Sequence, residues 1–225
     1  RVITHRIAAL LSAGVPESAI LALTFTNKAA REMRERICEL IRGSGSKLTI
    51  STFHSFGVRI LREWITLLGY SRDFSIYDQA DTMSLLKDIV REVFGSTTDI
   101  DLYGCAQIVS SIKTTRAVWN EENEEYRPVY DRYIEHMRAF NAVDFDDLIV
   151  LTLSLINSHA DVREALASRY EYIMVDEFQD TSITQYRIVE AIAREHRNLC
   201  VVGDDDQSIY SWRGANYLNM EYFER

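Results

Sequence analysis

Four short apolar runs dictate what this chain can become: AILALTF (19–25), LTIST (48–52), YEYIMVDE (170–177) and NLCVVGD (198–204). Each has the length of a strand, and AILALTF and the IMV of the third run show no polar alternation that would leave one face in water. Continuous apolar runs of this kind suit a parallel sheet covered on both faces. The intervening sequence supplies the cover. VITHRIAALLS (2–12) has helical spacing at Ile3, Ile7, Leu10 and Leu11, and TNKAAREMRERICELIR (26–42) places Ala30, Met33, Ile37 and Ile41 on one face, with Thr26 or Asn27 able to cap it. A third helix is predicted from Phe53 to Leu68, stopped by Gly69, and a fourth over ITQYRIVEAIAREH (183–196). Alternating strand and helix units build a doubly wound sheet that binds ligands at the carboxyl ends of its strands.

From Tyr77 to Val143 the strand signals vanish and the pattern becomes helical and acidic, as in TMSLLKDIVREVF and YRPVYDRYIEHMRAF. The expected organisation is therefore an α/β domain formed by residues 1–76 and 144–225, with residues 77–143 as an all-α insertion. Only two prolines and nine glycines occur in 225 residues, which favours helix over a turn-dense β-sandwich. No run approaches the 18–20 apolar residues of a membrane span, and the first residues lack the pattern of a signal peptide, so the expected location is cytoplasmic, with no membrane partner. Cys38, Cys105 and Cys200 form no CxxC pair and read as reduced thiols.

The formal charge is −9, which excludes a protein that holds nucleic acid by bulk positive charge. The distribution is uneven. Residues 1–70 carry ten Lys/Arg against five Asp/Glu, residues 71–145 eight against fourteen, and residues 146–225 seven against fifteen, giving +5, −6 and −8. Phosphate-rich ligands are expected at the first third. The last third offers carboxylates for metal chemistry, although for charge asymmetry alone solvated helix faces are the more common explanation.

The sharpest chemical signal is Ile173-Met174-Val175-Asp176-Glu177. Two carboxylates emerge where a buried strand ends: Asp176 can hold Mg²⁺, and Glu177, pointing the other way, can orient an attacking water. A capped strand end gives the same local pattern. Farther on, Gly203-Asp204-Asp205-Asp206-Gln207-Ser208-Ile209-Tyr210-Ser211-Trp212-Arg213 sets an amide, Gln207, just beyond a strand end, where it can sense a γ-phosphate. Tyr210, Trp212 and Arg213 offer stacking and cationic contacts to single-stranded bases, with core packing the alternative for Tyr210.

In order along the chain, TFTNKAAREM, STFHSFGVRIL, FNAVDFDDLI, VDEFQDTS and GDDDQSIYSWRGA together resemble the UvrD/Rep/PcrA-like superfamily 1 DNA helicases over nearly the whole length. The resemblance implies a RecA-like (P-loop NTPase) 1A subdomain carrying the helical insertion as 1B. It implies ATP and Mg²⁺ as cofactors, and single-stranded DNA and single-strand/duplex junctions as partners alongside repair or replication proteins. It puts Asp176 at the magnesium position, Glu177 at the base that activates water, Gln207 at the γ-phosphate and Trp212 on a base. Thr24, Phe25, Thr26 and Asn27 fall in one DNA-contact motif, and Thr52, Phe53 and His54 in the next. Phe178 stands where the family often has Tyr.

The implied activity is ATP-dependent translocation and unwinding of DNA, 3′ to 5′, in repair or replication. A phosphate-binding loop GxxxxGK[ST] is not found: Gly43-Ser44-Gly45-Ser46-Lys47-Leu48 lacks the hydroxyl after Lys and lies between helix and strand rather than strand and helix. In relatives the sequence resembling RVITHRIAAL follows that loop, so the chain reads as an N-terminal 1A/1B portion starting just downstream of it and inactive alone. Two alternatives stand beside this reading, a non-catalytic DNA- or partner-binding module and the helicase part of an AddA/RecB-like helicase-nuclease.

Overall fold

In the computed structural model the described residues are 2–41, 45–96, 100–204, 206, 219 and 223. In chain order the elements are α1 (Val2–Ser12), β1 (Ile20–Thr24), α2 (Asn27–Ile41), β2 (Thr49–Thr52), α3 (Phe53–Trp64), β3 (Ser75–Ile76), α4 (Gln79–Phe94), α5 (Leu102–Lys113), α6 (Arg127–Ala139), β4 (Ala142–Val143), α7 (Phe145–Ser158), α8 (Ala160–Arg169), β5 (Tyr172–Val175), α9 (Ile183–Ala193) and β6 (Leu199–Val201). They divide into two units, Arg1–Arg59 with Leu153–Arg225, and Ile60–Thr152.

The first unit is built on an all-parallel sheet of order β2-β1-β5-β6. β1 lies in its interior, every residue buried, as a run without polar alternation requires. Ile3 and Ile7 of α1, Ala30, Met33 and Ile37 of α2, Ile20 and Ala22 of β1 and Met174 of β5 form one apolar cluster. The helical face read from spacing is thus the face that packs. Burying four or five such side chains contributes about 1.5–3 kcal/mol each. The register aligns Leu23 with Val175 and Thr24 with Thr52, so β1, β2 and β5 end at one level. The helix predicted from Phe53 to Leu68 is α3 followed by a 3₁₀ turn over Ile65–Leu68, closed by Gly69 at φ 83°, a left-handed value that suits a residue without a Cβ.

The second unit is helical. Leu86, Ile89 and Val90 of α4, Cys105 and Val109 of α5 and Val129, Tyr133 and Met137 of α6 form its core. Asp78 and Asp81 cap α4 reciprocally, each side chain accepting the other's backbone N–H. The structure adds one feature to the all-helical expectation for residues 77–143: β4, at the end of that segment, pairs in parallel with β3, which lies just before it. A pair so short has no periodicity to read. It is held by Ser75 N–H donating to Asn141 O at 3.0 Å and Tyr77 N–H to Val143 O at 2.8 Å.

Candidate functional site

The carboxyl edge of the sheet in the first unit gathers most of the described candidates. Asp176 follows β5, and its N–H donates to Leu23 O of β1 at 2.9 Å. Glu177 comes next with φ 53° and ψ 45°, a left-handed backbone that a residue with a Cβ rarely adopts. Phe178 N–H donates to Val202 O at 2.9 Å and Asp180 N–H to Glu177 O at 3.0 Å, so the turn is pinned on both sides. Ser182 and Gln185 form a capping box that launches α9 directly after this turn. Thus strand, strained turn and capped helix follow within a dozen residues.

Asp176 is half-buried and Glu177 exposed. Burial, and then the negative charge of Glu177, raise the Asp176 carboxyl above the ordinary aspartate value, against a bond from the Glu177 N–H. Two like charges crowded at a partly desolvated strand end favour an arriving cation. Among the described residues no group of three or more His, Cys, Asp or Glu could hold a metal. The donor set fits Mg²⁺ carried on a nucleotide, which takes one or two protein carboxylates with phosphate and water completing its shell.

Gln179, given no role by the sequence reading, is buried. Its Nε2 donates to Glu177 Oε2 at 2.8 Å, and its Oε1 accepts the Asp204 N–H at 3.1 Å. The only legible signal for it was an amide two residues beyond a carboxylate. Phe178 is fully buried and meets Tyr186 edge-on, with ring centroids 5.9 Å apart. A phenol hydroxyl at this position would need a partner there.

The other half of the same edge, at β1 and β2, is different in kind. Thr24 and Thr52 are buried, Phe25 and His54 half-buried, Thr26 and Asn27 exposed. Thr26 Oγ1 accepts the Ala29 N–H at 3.1 Å and caps α2, resolving the choice between Thr26 and Asn27. Thr52 Oγ1 does the same for α3, accepting the Ser55 N–H at 3.2 Å. Burial lowers the pKa of His54, so near pH 7 it is a neutral donor and acceptor rather than a cation. Phe53 is buried and packs inward.

An open groove of about 550 Å³ runs between the start of α2 and the end of β2, lined by Asn27, Arg31, Arg34, Ile50, Ser51 and Ser55. The sequence reading named only Asn27 among these. Arg34 is committed to structure, donating to Gly45 O at 3.1 Å and to Leu48 O at 3.2 Å. Arg31 is exposed, and Ser51 Oγ and Thr24 Oγ1 are buried without a hydrogen-bond partner among the described residues. A groove with a cation, an amide, hydroxyls and two helix N-termini at its rim has the donors a phosphate backbone requires. Gln207, Tyr210, Trp212 and Arg213 lie outside the described residues.

Comparison with known proteins bears on the whole chain. The family model described as the UvrD/REP helicase N-terminal domain matches residues 1–225. Proteins named ATP-dependent DNA helicase PcrA from Bacillus subtilis (strain 168) and Staphylococcus aureus (strain Mu50) are each 41% identical over 234 aligned positions, covering 100% of this chain and 32% of the relative. The protein of that name from Leuconostoc citreum is 41% identical over 235 positions, 31% of its length. The chain thus spans about a third of the length of these curated relatives.

Proposed function

Because this chain belongs to the UvrD/REP helicase N-terminal domain family, with its P-loop NTPase α/β fold, we propose that the protein carrying it is an ATP-dependent motor that translocates on single-stranded DNA and unwinds duplexes 3′ to 5′. Residues 1–76 and 144–225 are assigned to the nucleotide-binding 1A subdomain and residues 77–143 to the helical 1B subdomain. Cytoplasmic action in repair or replication belongs to the same proposal.

One observation carries this reading: Asp176 and the strained Glu177 end an interior strand on the edge that also bears the Asn27 groove. Asp176 would hold Mg²⁺, which when bound offsets phosphate charge. Glu177 would orient the water for in-line attack and accept its proton. With Oε2 accepting from Gln179, its other oxygen, Oε1, would take that role. Gln207 would contact the γ-phosphate, and Phe25 and Trp212 would stack on bases, with Thr26 and Asn27 donating to the DNA backbone, while Tyr210 and Arg213 add aromatic and cationic contacts. The Thr24, Thr52 and His54 contacts are proposed through the surface their helix starts present.

Glu177→Gln in the full-length protein tests the reading. DNA-stimulated ATP hydrolysis should fall at least 100-fold with ATP affinity retained, since an amide keeps the shape but cannot take the proton. Unchanged turnover would remove Glu177 from the chemistry.

A further inference from the structure

Glu177 holds a conformation that its own backbone disfavours, which persists only where the surroundings over-determine it. Its main chain is fixed through neighbours to β1 and β6, as described above. Its side chain is a separate matter, because an exposed glutamate has several rotamers of similar energy and nothing in a backbone turn selects one. The selection comes from Gln179. This amide is buried, and its orientation is unambiguous: exchanging Nε2 and Oε1 would set a carbonyl against the Glu177 carboxylate and an NH₂ group against the Asp204 N–H.

Gln179 therefore spans two elements, with one end on the carboxylate after β5 and the other on the main chain after β6. Packing enforces the span. A Cβ at Gly203 would lie 2.7 Å from Gln179 Oε1, 3.1 Å from its backbone N and 3.3 Å from Phe178 Cβ, so only glycine lets the β6 end approach the amide this closely. Any displacement of Gly203 and Asp204 moves the acceptor side of the amide, and with it the donor that aims Glu177.

We propose that Gln179 is a positioning residue for Glu177, fixing one carboxylate oxygen so that the other faces the attacking water, and that it transmits the position of the Gly203–Asp204 segment to that carboxylate. The inference rests on the reading of Glu177 as the water-orienting base. It adds a residue that touches neither nucleotide nor DNA, together with a route by which the strand end preceding Gln207 controls hydrolysis.

The test is Gln179→Met in the full-length protein, which keeps volume and removes both polar ends. Expected are a 10- to 100-fold fall in kcat for DNA-stimulated ATP hydrolysis, a KM and an affinity for a fluorescent non-hydrolysable ATP analogue within twofold of the parent, and faster hydrogen exchange across residues 199–206. Gly203→Ala should give the same kcat-selective loss by pushing the amide aside, and Gln179→Glu a larger one because it opposes two carboxylates. Loss of nucleotide affinity in parallel with kcat, or unchanged exchange at 199–206, would make Gln179 a packing residue and overturn the proposal. Unchanged kcat in both Gln179→Met and Gly203→Ala, with Glu177→Gln inactive, overturns the positioning role alone. Parental turnover in Glu177→Gln instead removes the reading beneath it.

Discussion

Asp176 and Glu177 in the sheet unit, and Asp144 and Asp147 in the helical unit, are both closely spaced acidic pairs at the junction of a strand and a helix or turn, yet their surroundings are opposite. Asp144 and Asp147 are buried. They cap the start of α7 reciprocally, and Lys113 Nζ lies 2.6 Å from Asp144 Oδ2 and 2.8 Å from Asp147 Oδ2. The Tyr133 hydroxyl donates to Asp144 Oδ2 at 2.7 Å. Both oxygens of Asp144 and Oδ2 of Asp147 are thus engaged by the protein itself. At the sheet edge Gln179 donates to one Glu177 oxygen, and Glu177 is exposed. Carboxylates serve the fold when the protein closes around them, and they are available for chemistry when it leaves an oxygen open.

Titration separates the pairs further. Burial and then the Asp144 charge push Asp147 up to about 6, with Lys113 opposing. Burial alone would raise Asp144, but the Lys113 ammonium and the bonds from Lys113 and Tyr133 outweigh it and hold the carboxyl low. One cation shared between two carboxylates leaves a surplus negative charge, and Asp147 bears that cost.

The contrast can be broken most severely at the ammonium. Lys113→Met should cost about 3–5 kcal/mol of stability by leaving two buried carboxylates uncompensated, read as a shift in the urea midpoint at constant slope. Glu177→Gln should change stability by less than about 0.5 kcal/mol, since the side chain is exposed and the new amide oxygen can still accept the Gln179 N–H. A reversal of these two results would abolish the distinction between closed and open pairs.

Next in size, Trp212→Ala should weaken single-stranded DNA binding by about 1–3 kcal/mol in a fluorescence anisotropy titration, and unaltered affinity would return that ring to packing. A pH series sharpens the comparison. Because the folded value of Asp147 is raised, its contribution favours the fold at low pH and is lost as pH rises through about 6, so the helical unit should gain on the order of 1 kcal/mol from pH 7 to 5. Asp144 has the opposite sign: its contribution is present above the ordinary aspartate value and lost as pH falls through its lowered folded value. Asp147→Asn should flatten the gain between pH 7 and 5, and a gain that survives would place its origin elsewhere. Of similar size is Thr26→Ala, expected to cost about 1 kcal/mol through the lost cap on α2 and measurable by thermal unfolding.

How far the sequence was legible differs between these regions. The strands, the α2 face and Asp176-Glu177 could be read because parallel strands and amphipathic helices impose local periods, and a strand end fixes where the next residues emerge. Gln179 was not legible, since its partner Asp204 is 25 residues away and meets it only because β6 pairs with β5. Nor was the Lys113 bridge, which spans 31 residues to Asp144, although the Asp-x-x-Asp spacing of a capping box stood in the open.

By itself the sequence determined the alternating α/β grammar, the helical insertion, the acidic strand end and membership of a helicase family, because these rest on local pattern and motif order. Tertiary structure decided which carboxylates are open and which are closed, where a side chain at Gly203 would collide, and which amide aims Glu177. Those outcomes depend on contacts between residues far apart in the chain, whose energies no local window contains.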